Sequence, residues 1–216
     1  MKVNFRSRLS GFGPVGIITI LVILLAGNIA GAALVLIWAR LSETPWRNLR
    51  FVRPLHGRTD LLVALVAGVV LKLVMKALVM PLLGFDSANL SYHYLSGNTA
   101  ALPLMLLTVI VGAGFGEETI WRGFLFERLG SLLSGSSAKV VIVLLTSLLF
   151  GAAHYRDQGF AGSLQSTITG LAFGGTYARI GTIWPVMVAH AAFDITAVMM
   201  IYWNLEVPIA RFLLDR

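Results

Sequence analysis

The chain has no cysteine and few charged residues, and each shortage excludes a class of protein. Without cysteine, the 216 residues hold no disulfide, no thiol nucleophile and no cysteine-ligated zinc. Charged residues make up 12% of the sequence, whereas soluble domains carry about 25%. Hydrophobic residues make up 57%, which is more apolar surface than a soluble fold of this size can bury. The composition therefore indicates an integral membrane protein.

The formal net charge of +7 does not indicate nucleic-acid binding. The sequence has no basic stripe with interleaved aromatic residues, and most lysines and arginines fall beside or between apolar runs. Membrane topology and anionic lipid headgroups account for basic residues in those places. We therefore predict the lipid bilayer as a partner and no nucleic-acid partner.

Six apolar segments are long enough to cross a bilayer, which takes about 20 helical residues. They are 15–38, 61–83, 101–116 running on into 117–133, 138–155, 163–180 and 183–203. Because runs of this length span lipid only as helices, we predict an all-α fold. It would be a polytopic transmembrane bundle of about six spanning helices, forming a single domain over residues 1–216.

Glycines alternate with other residues in the third segment, at Gly112, Gly114 and Gly116. Such glycines weaken a helix, or let neighbouring backbones approach closely. The pattern predicts either a kink or break there, or tight helix packing.

Three polar clusters interrupt the apolar segments. An ionisable group at the bilayer centre costs about 3 kcal/mol on insertion scales, so such groups are often functional. The clusters are Glu117-Glu118-Thr119-Ile120-Trp121-Arg122, Phe150-Gly151-Ala152-Ala153-His154 and His190-Ala191-Ala192-Phe193-Asp194. Their recurrence in successive segments predicts one site assembled from several helices.

The two neighbouring glutamates of the first cluster point in different directions on a helix, so their surroundings differ. Glu118 and Arg122 lie four residues apart and share a helix face, so the arginine can neutralise Glu118. Glu117 points about 100° away, which leaves it free to take a proton from water and return it. The alternative is a structural ion pair at the membrane interface, with Glu117 solvated.

The histidines also allow two interpretations. His154, one turn after Phe150, is either a catalyst or an interfacial hydrogen-bonded residue. His190 and Asp194 share a face, where they can orient an imidazole, bind a metal or surround a developing oxyanion. The alternative for this pair is a hydrogen bond that only packs helices together.

Two lysines lie one turn apart inside the second apolar segment, at Lys72 and Lys76. Lysines in such segments usually snorkel to the interface or face a polar cavity. A direct role, such as binding a substrate carboxylate, is a third interpretation.

Taken together, the three motifs resemble the CPBP family of intramembrane proteases, which includes the type II CAAX prenyl endopeptidases and the bacterial Abi proteins. The family pattern is two glutamates, three residues and an arginine; then phenylalanine, three residues and histidine; then histidine, three residues and asparagine or a related residue. All three occur here in order. The resemblance covers about residues 100–200, which we take as the catalytic core.

The resemblance implies a role for each matching residue. Glu117 and His154 would activate a water molecule, and His190 with Asp194 would stabilise the tetrahedral oxyanion. The supporting residues would be Glu118, Arg122 and Phe150.

Asp194 departs from the prenyl endopeptidases, which have asparagine there. An ionised aspartate would repel an oxyanion, so Asp194 is protonated, orients His190 or ligates a metal. The family has also been called metalloproteases. His154, His190 and Glu117 would suit a catalytic zinc, although the sequence lacks a paired-histidine HExxH motif.

We therefore predict an endopeptidase that hydrolyses a peptide bond of a peptide or protein substrate by glutamate- and histidine-activated water. The family resemblance also predicts a multi-pass protein of a bacterial cytoplasmic membrane. The main alternative is a non-proteolytic membrane scaffold or bacteriocin-immunity protein. A proton-coupled transporter is less favoured because the chain shows no inverted repeat.

Overall fold

The computed structural model describes residues 5–86 and 88–213, and every regular element in these ranges is helical. A short 3₁₀ helix covers Leu90–Leu95. The longer elements are α1 (Phe5–Ser10), α2 (Pro14–Ala26), α3 (Asn28–Leu41), α4 (Arg58–Leu82), α5 (Leu102–Gly130), α6 (Ala138–Ile180), α7 (Trp184–Tyr202) and α8 (Glu206–Leu213).

Within the described ranges, four helices are long and apolar enough to cross a membrane: α4, α5, α6 and α7. Their outer faces expose large apolar side chains such as Leu62, Leu104 and Leu148, as expected of a surface in contact with lipid. The predicted polytopic all-α bundle is confirmed.

The prediction of one spanning helix over 15–38 is wrong. Gly27 has φ +57° and ψ 175°, and this non-helical residue separates α2 from α3. The indole Nε1 of Trp38 donates a hydrogen bond to the carbonyl oxygen of Leu9 at 3.1 Å, so the outer ends of the two helices lie on the same side. Each helix is about 20 Å long, too short for a hydrocarbon core of about 30 Å. The first apolar segment is therefore a helical hairpin with Gly27 at its tip.

Helix α6 is a second hairpin, and it agrees with the predicted pair of segments at 138–155 and 163–180. Gly159 has φ +64° and ψ −166°, and it separates an arm at 138–158 from an arm at 160–180. The arms pack side by side, because a Cβ atom placed on Gly170 would lie 3.1 Å from the Cα of Ser147. Each arm has about the 20 residues that one membrane crossing requires.

Helix α5 contains no break at its alternating glycines, and two of them, Gly114 and Gly116, pack tightly against neighbouring helices as the alternative predicts. A Cβ atom on Gly114 would lie 2.8 Å from the Cβ of Ala191, and one on Gly116 would lie 2.9 Å from the carbonyl carbon of Asn28. The helix instead widens into π-helical turns at Thr108–Glu117 and Thr119–Leu125. π-Helical turns are frequent at functional sites, and Glu118 lies between these two.

Candidate active site

The three predicted clusters meet in one cavity of about 200 Å³ between α5, α6 and α7. α5 contributes the glutamates, the first arm of α6 contributes Phe150 and His154, and α7 contributes His190 and Asp194. Residues lining the cavity from these clusters are Glu117, Phe150, His154, His190, Phe193 and Asp194. The structure thus brings residues of the three clusters together from several helices, as the sequence analysis expects.

Glu118 is the buried centre of the arrangement, with 0% of its surface exposed. Its Oε1 accepts a hydrogen bond from Arg122 Nη1 at 2.7 Å, as the four-residue spacing predicts. The same oxygen lies 2.7 Å from His190 Nδ1 on α7. Because a carboxylate accepts, Nδ1 carries the proton, and the other ring nitrogen of His190 faces the cavity. Arg122 also donates to the carbonyl oxygen of Gly170 at 3.3 Å, which joins α5 to the second arm of α6.

Aromatic rings hold these charged groups in place. The Phe150 ring lies 4.5 Å from the His154 ring, centroid to centroid, and the Arg122 guanidinium lies 4.9 Å from the Phe150 centroid. Phe173, on the second arm of α6, lies 5.0 Å from the His190 ring. A cation over an aromatic face is stabilised without a second carboxylate.

His154 has a defined tautomer when it is neutral. Its Nδ1 lies 2.7 Å from the carbonyl oxygen of Phe150. A carbonyl oxygen only accepts hydrogen bonds, so Nδ1 carries the hydrogen and Nε2 carries a lone pair. That Nε2 lies 3.9 Å from Glu117 Oε2.

Glu117 lines the cavity and lies between the two imidazoles. Its Oε2 lies 3.9 Å from both His154 Nε2 and His190 Nε2, too far for a direct hydrogen bond. This oxygen is buried and has no hydrogen-bond partner among the described residues. Asp194 Oδ2 lies 3.5 Å from His190 Nε2 on the side away from Glu118.

Residues 99–196 match the family model described as type II CAAX prenyl endopeptidase Rce1-like. All three motifs fall inside this segment. This match supports the resemblance of the segment to the CPBP family of CAAX proteases. The match leaves α1 to α4 and α8 outside the family segment. No curated protein and no solved structure gives a significant match to the chain.

Several polar residues from outside the three CPBP motifs also line the cavity. They are Asn28, Lys72, Asn89, Tyr92, Gln158 and Gln165. Of these, the sequence predicts a position facing a polar cavity only for Lys72, as one of its interpretations, and the structure confirms it. The others lie in linkers, at a hairpin tip or on α6, where a single neutral polar residue gives no periodic signal.

The arrangement of the CPBP residues gives no support for the predicted zinc. Within residues 5–86 and 88–213, no group of three histidine, aspartate or glutamate side chains has the geometry to hold a metal ion. Zinc held by His154, His190 and Glu117 therefore stays a prediction, and no step below passes through a metal.

Proposed function

We propose that the chain is an intramembrane endopeptidase in which Glu117 and His154 activate water and His190 stabilises the oxyanion. The observation that carries the proposal is the position of Glu117 Oε2, 3.9 Å from each of two imidazole nitrogens and without a hydrogen-bond partner among the described residues. A distance of this size between polar groups suits a bridging water. A peptide carbonyl that enters the cavity then meets a water already aligned by two acceptors.

In the first step, water donates one hydrogen to Glu117 Oε2 and the other to the lone pair of His154 Nε2. Glu117 takes the proton as the water oxygen forms a bond to the carbonyl carbon of the substrate. The carbonyl π electrons move to oxygen, which becomes the tetrahedral oxyanion. General-base assistance of this kind accelerates a reaction by about 10²- to 10⁴-fold.

His190 supplies the hydrogen bond to that oxyanion in its doubly protonated form. Its Nδ1–H is held by Glu118, so the Nε2–H points into the cavity. Collapse of the intermediate re-forms the carbonyl and breaks the C–N bond. Glu117 then returns its proton to the departing nitrogen, and the products are a carboxylic acid and an amine.

Asp194 acts through His190 in this mechanism rather than as an oxyanion donor. Its Oδ2 is 3.5 Å from His190 Nε2, and a carboxylate accepts hydrogen bonds but does not donate them. Together with Glu118 it places negative charge on both sides of the ring, which stabilises an imidazolium.

The test compares membranes that carry equal amounts of folded wild type, Glu117→Gln and Glu127→Gln. Glu127 is a matched control because it lies on α5, pairs with Arg128 at 3.3 Å and does not line the cavity. Mass spectrometry counts the new protein termini in each membrane, and purified protein is then assayed on peptides taken from those termini. We expect the new termini in the membranes that carry wild type or Glu127→Gln. In the assay on purified protein, Glu117→Gln should cleave the peptides at least about 100-fold more slowly than wild type.

Equal cleavage by Glu117→Gln and wild type would overturn the mechanism. Identical termini in all three membranes, with a preserved cellular phenotype for Glu117→Gln, would favour a non-proteolytic scaffold or immunity role.

A further inference from the structure

A buried lysine faces the cavity from α4, outside the family segment. Only 6% of the surface of Lys72 is exposed, and the residue lines the cavity together with Glu117 and His190. Helix α4 reaches this position because Gly68 packs directly against the backbone of Ala189 on α7. One turn further along both helices, Lys72 Nζ lies 4.8 Å from the centroid of the Phe193 ring.

The ammonium of Lys72 has weak partners for a buried charge. Its hydrogen-bond acceptor is the neutral amide oxygen of Gln165 at 3.4 Å. Among the described residues no carboxylate oxygen lies within 4.0 Å of its nitrogen. Burying a charge is costly unless an opposite charge and hydrogen bonds compensate for it.

Lys76, one turn away on the same helix, has a carboxylate partner. Its Nζ lies 2.5 Å from Glu206 Oε1, and Glu206 Oε2 accepts a hydrogen bond from the backbone nitrogen of Asn89 at 3.1 Å. This ion pair joins α4 to α8, and the hydrogen bond from Asn89 ties in the segment that follows α4. Glu206 is therefore already engaged by Lys76 and does not serve Lys72.

We propose that Lys72 binds a carboxylate of the substrate and so selects which peptide bonds are cut. This inference rests on the proposed endopeptidase function. An ammonium and the side-chain amide of Gln165 together offer donors to both oxygens of a carboxylate. Because Lys72 and His190 line one cavity of about 200 Å³, the carboxylate lies close to the bond that is hydrolysed. It belongs either to the carboxyl terminus of the substrate or to an acidic side chain.

Binding is measured on the full-length protein in the Glu117→Gln background, so that the peptides stay intact. One pair of fluorescent peptides differs by a free or amidated carboxyl terminus, and a second pair differs by an internal aspartate or asparagine. We expect the carboxylate member of one pair to bind about 10- to 100-fold more tightly than its neutral partner, as for a charge-assisted hydrogen bond. The pair that shows the preference identifies the source of the carboxylate.

Two variants test whether Lys72 causes the preference. Lys72→Met should abolish it by weakening only the carboxylate peptide, whereas Lys72→Arg, which keeps the charge, should retain most of it. Equal affinities within both pairs for the parent protein would overturn the inference, even if Lys72→Met fails to fold. An equal loss of affinity for both peptides of a pair in Lys72→Met would also overturn it. The lysine would then support the structure of the site and not bind the carboxylate of the substrate.

Cleavage by the wild-type protein separates this inference from the proposed function. Cleavage without any carboxylate preference contradicts only the role of Lys72. A Lys72-dependent preference in binding, with no cleavage of any bound peptide by wild type, contradicts only the protease.

Discussion

Glu118 on α5 and His190 on α7 are joined by a 2.7 Å contact between a fully buried carboxylate oxygen and Nδ1 of the imidazole. The same oxygen accepts a hydrogen bond from Arg122. One atom therefore orients a candidate catalytic ring and neutralises the guanidinium of Arg122. Glu118 therefore links the stability of the bundle to the orientation of His190, and replacing Arg122 tests this link.

Replacing Arg122 with methionine should destabilise the protein strongly. The change leaves the Glu118 carboxylate buried without its cation, and breaking a buried pair in this way costs about 3 kcal/mol or more. For a chain of this size, the thermal midpoint of the purified protein should fall by about 6–12 °C. The exposed Arg156 is the control, and its change to methionine should alter stability by less than about 0.5 kcal/mol.

The double variant Arg122→Met/Glu118→Gln should recover part of that stability, because the unpaired charge is gone. It should not recover activity, because the neutral amide no longer offers the charge that supports a protonated His190. A double variant as unstable as the single one would show that the cost comes from lost packing around Phe150 and not from the buried charge.

Asp194→Asn should retain activity within about tenfold of wild type, whereas Asp194→Ala should lose more. Asparagine keeps a polar group 3.5 Å from His190 Nε2 and gains an N–H that can donate to the oxyanion. Alanine removes both functions. Steady-state kinetics on one peptide substrate would decide, with kcat and KM determined separately. If Asp194→Asn is as inactive as Glu117→Gln, the negative charge of Asp194 beside His190 is essential, and the N–H donor of asparagine does not replace it.

Local spacing in the sequence predicts the contacts within one helix, but not those between distant segments. Four-residue spacing predicts the Glu118–Arg122 pair, and the three motifs predict a shared site. The Glu118–His190 contact spans 72 residues, and the place of Phe173 beside His190 depends on the α6 hairpin. Neither can be read from periodicity, because each depends on how whole helices pack.

The two hairpins also show what hydropathy can and cannot predict. The polar residues Arg156 and Asp157 interrupt hydropathy near Gly159, so a break there is predictable. Hydropathy is continuous across Gly27, and a single glycine is tolerated in many helices. The sequence therefore predicts one spanning helix where the structure has a hairpin whose tip reaches Gly116.

Close packing at that tip gives a second test on α5. Gly116→Ala should lower activity, because the new Cβ would lie 2.9 Å from the carbonyl carbon of Asn28 and 3.0 Å from its oxygen. Overpacking of this kind costs about 1–3 kcal/mol, and the strain falls next to Glu117. Gly112→Ala is the matched control, since its nearest neighbour is the Thr108 Cγ2 at 3.7 Å. Activity and the thermal midpoint should be lower for Gly116→Ala than for Gly112→Ala. Equal values for the two variants would mean that the hairpin tip moves to accept the new Cβ at little cost.

Gly159→Ala and Gly175→Ala should change stability in opposite directions, although both lie in α6. Gly159 has φ +64° and ψ −166°, a region open essentially to glycine alone, where another residue costs about 1–3 kcal/mol. Gly175 is helical and exposed, and a Cβ there would meet nothing within 4 Å among the described atoms. Alanine should therefore stabilise that position by about 0.5–1 kcal/mol.

The measurement is the thermal midpoint of each purified variant in the same detergent, alongside peptide cleavage. Space is not the issue at Gly159, because a Cβ there also meets nothing within 4 Å, so any loss reports backbone conformation alone. Because the turn at Gly159 sets how the arm with Phe150 and His154 packs against the second arm, activity should fall together with stability. A Gly159→Ala protein as stable as wild type would show that α6 does not turn back on itself at this residue.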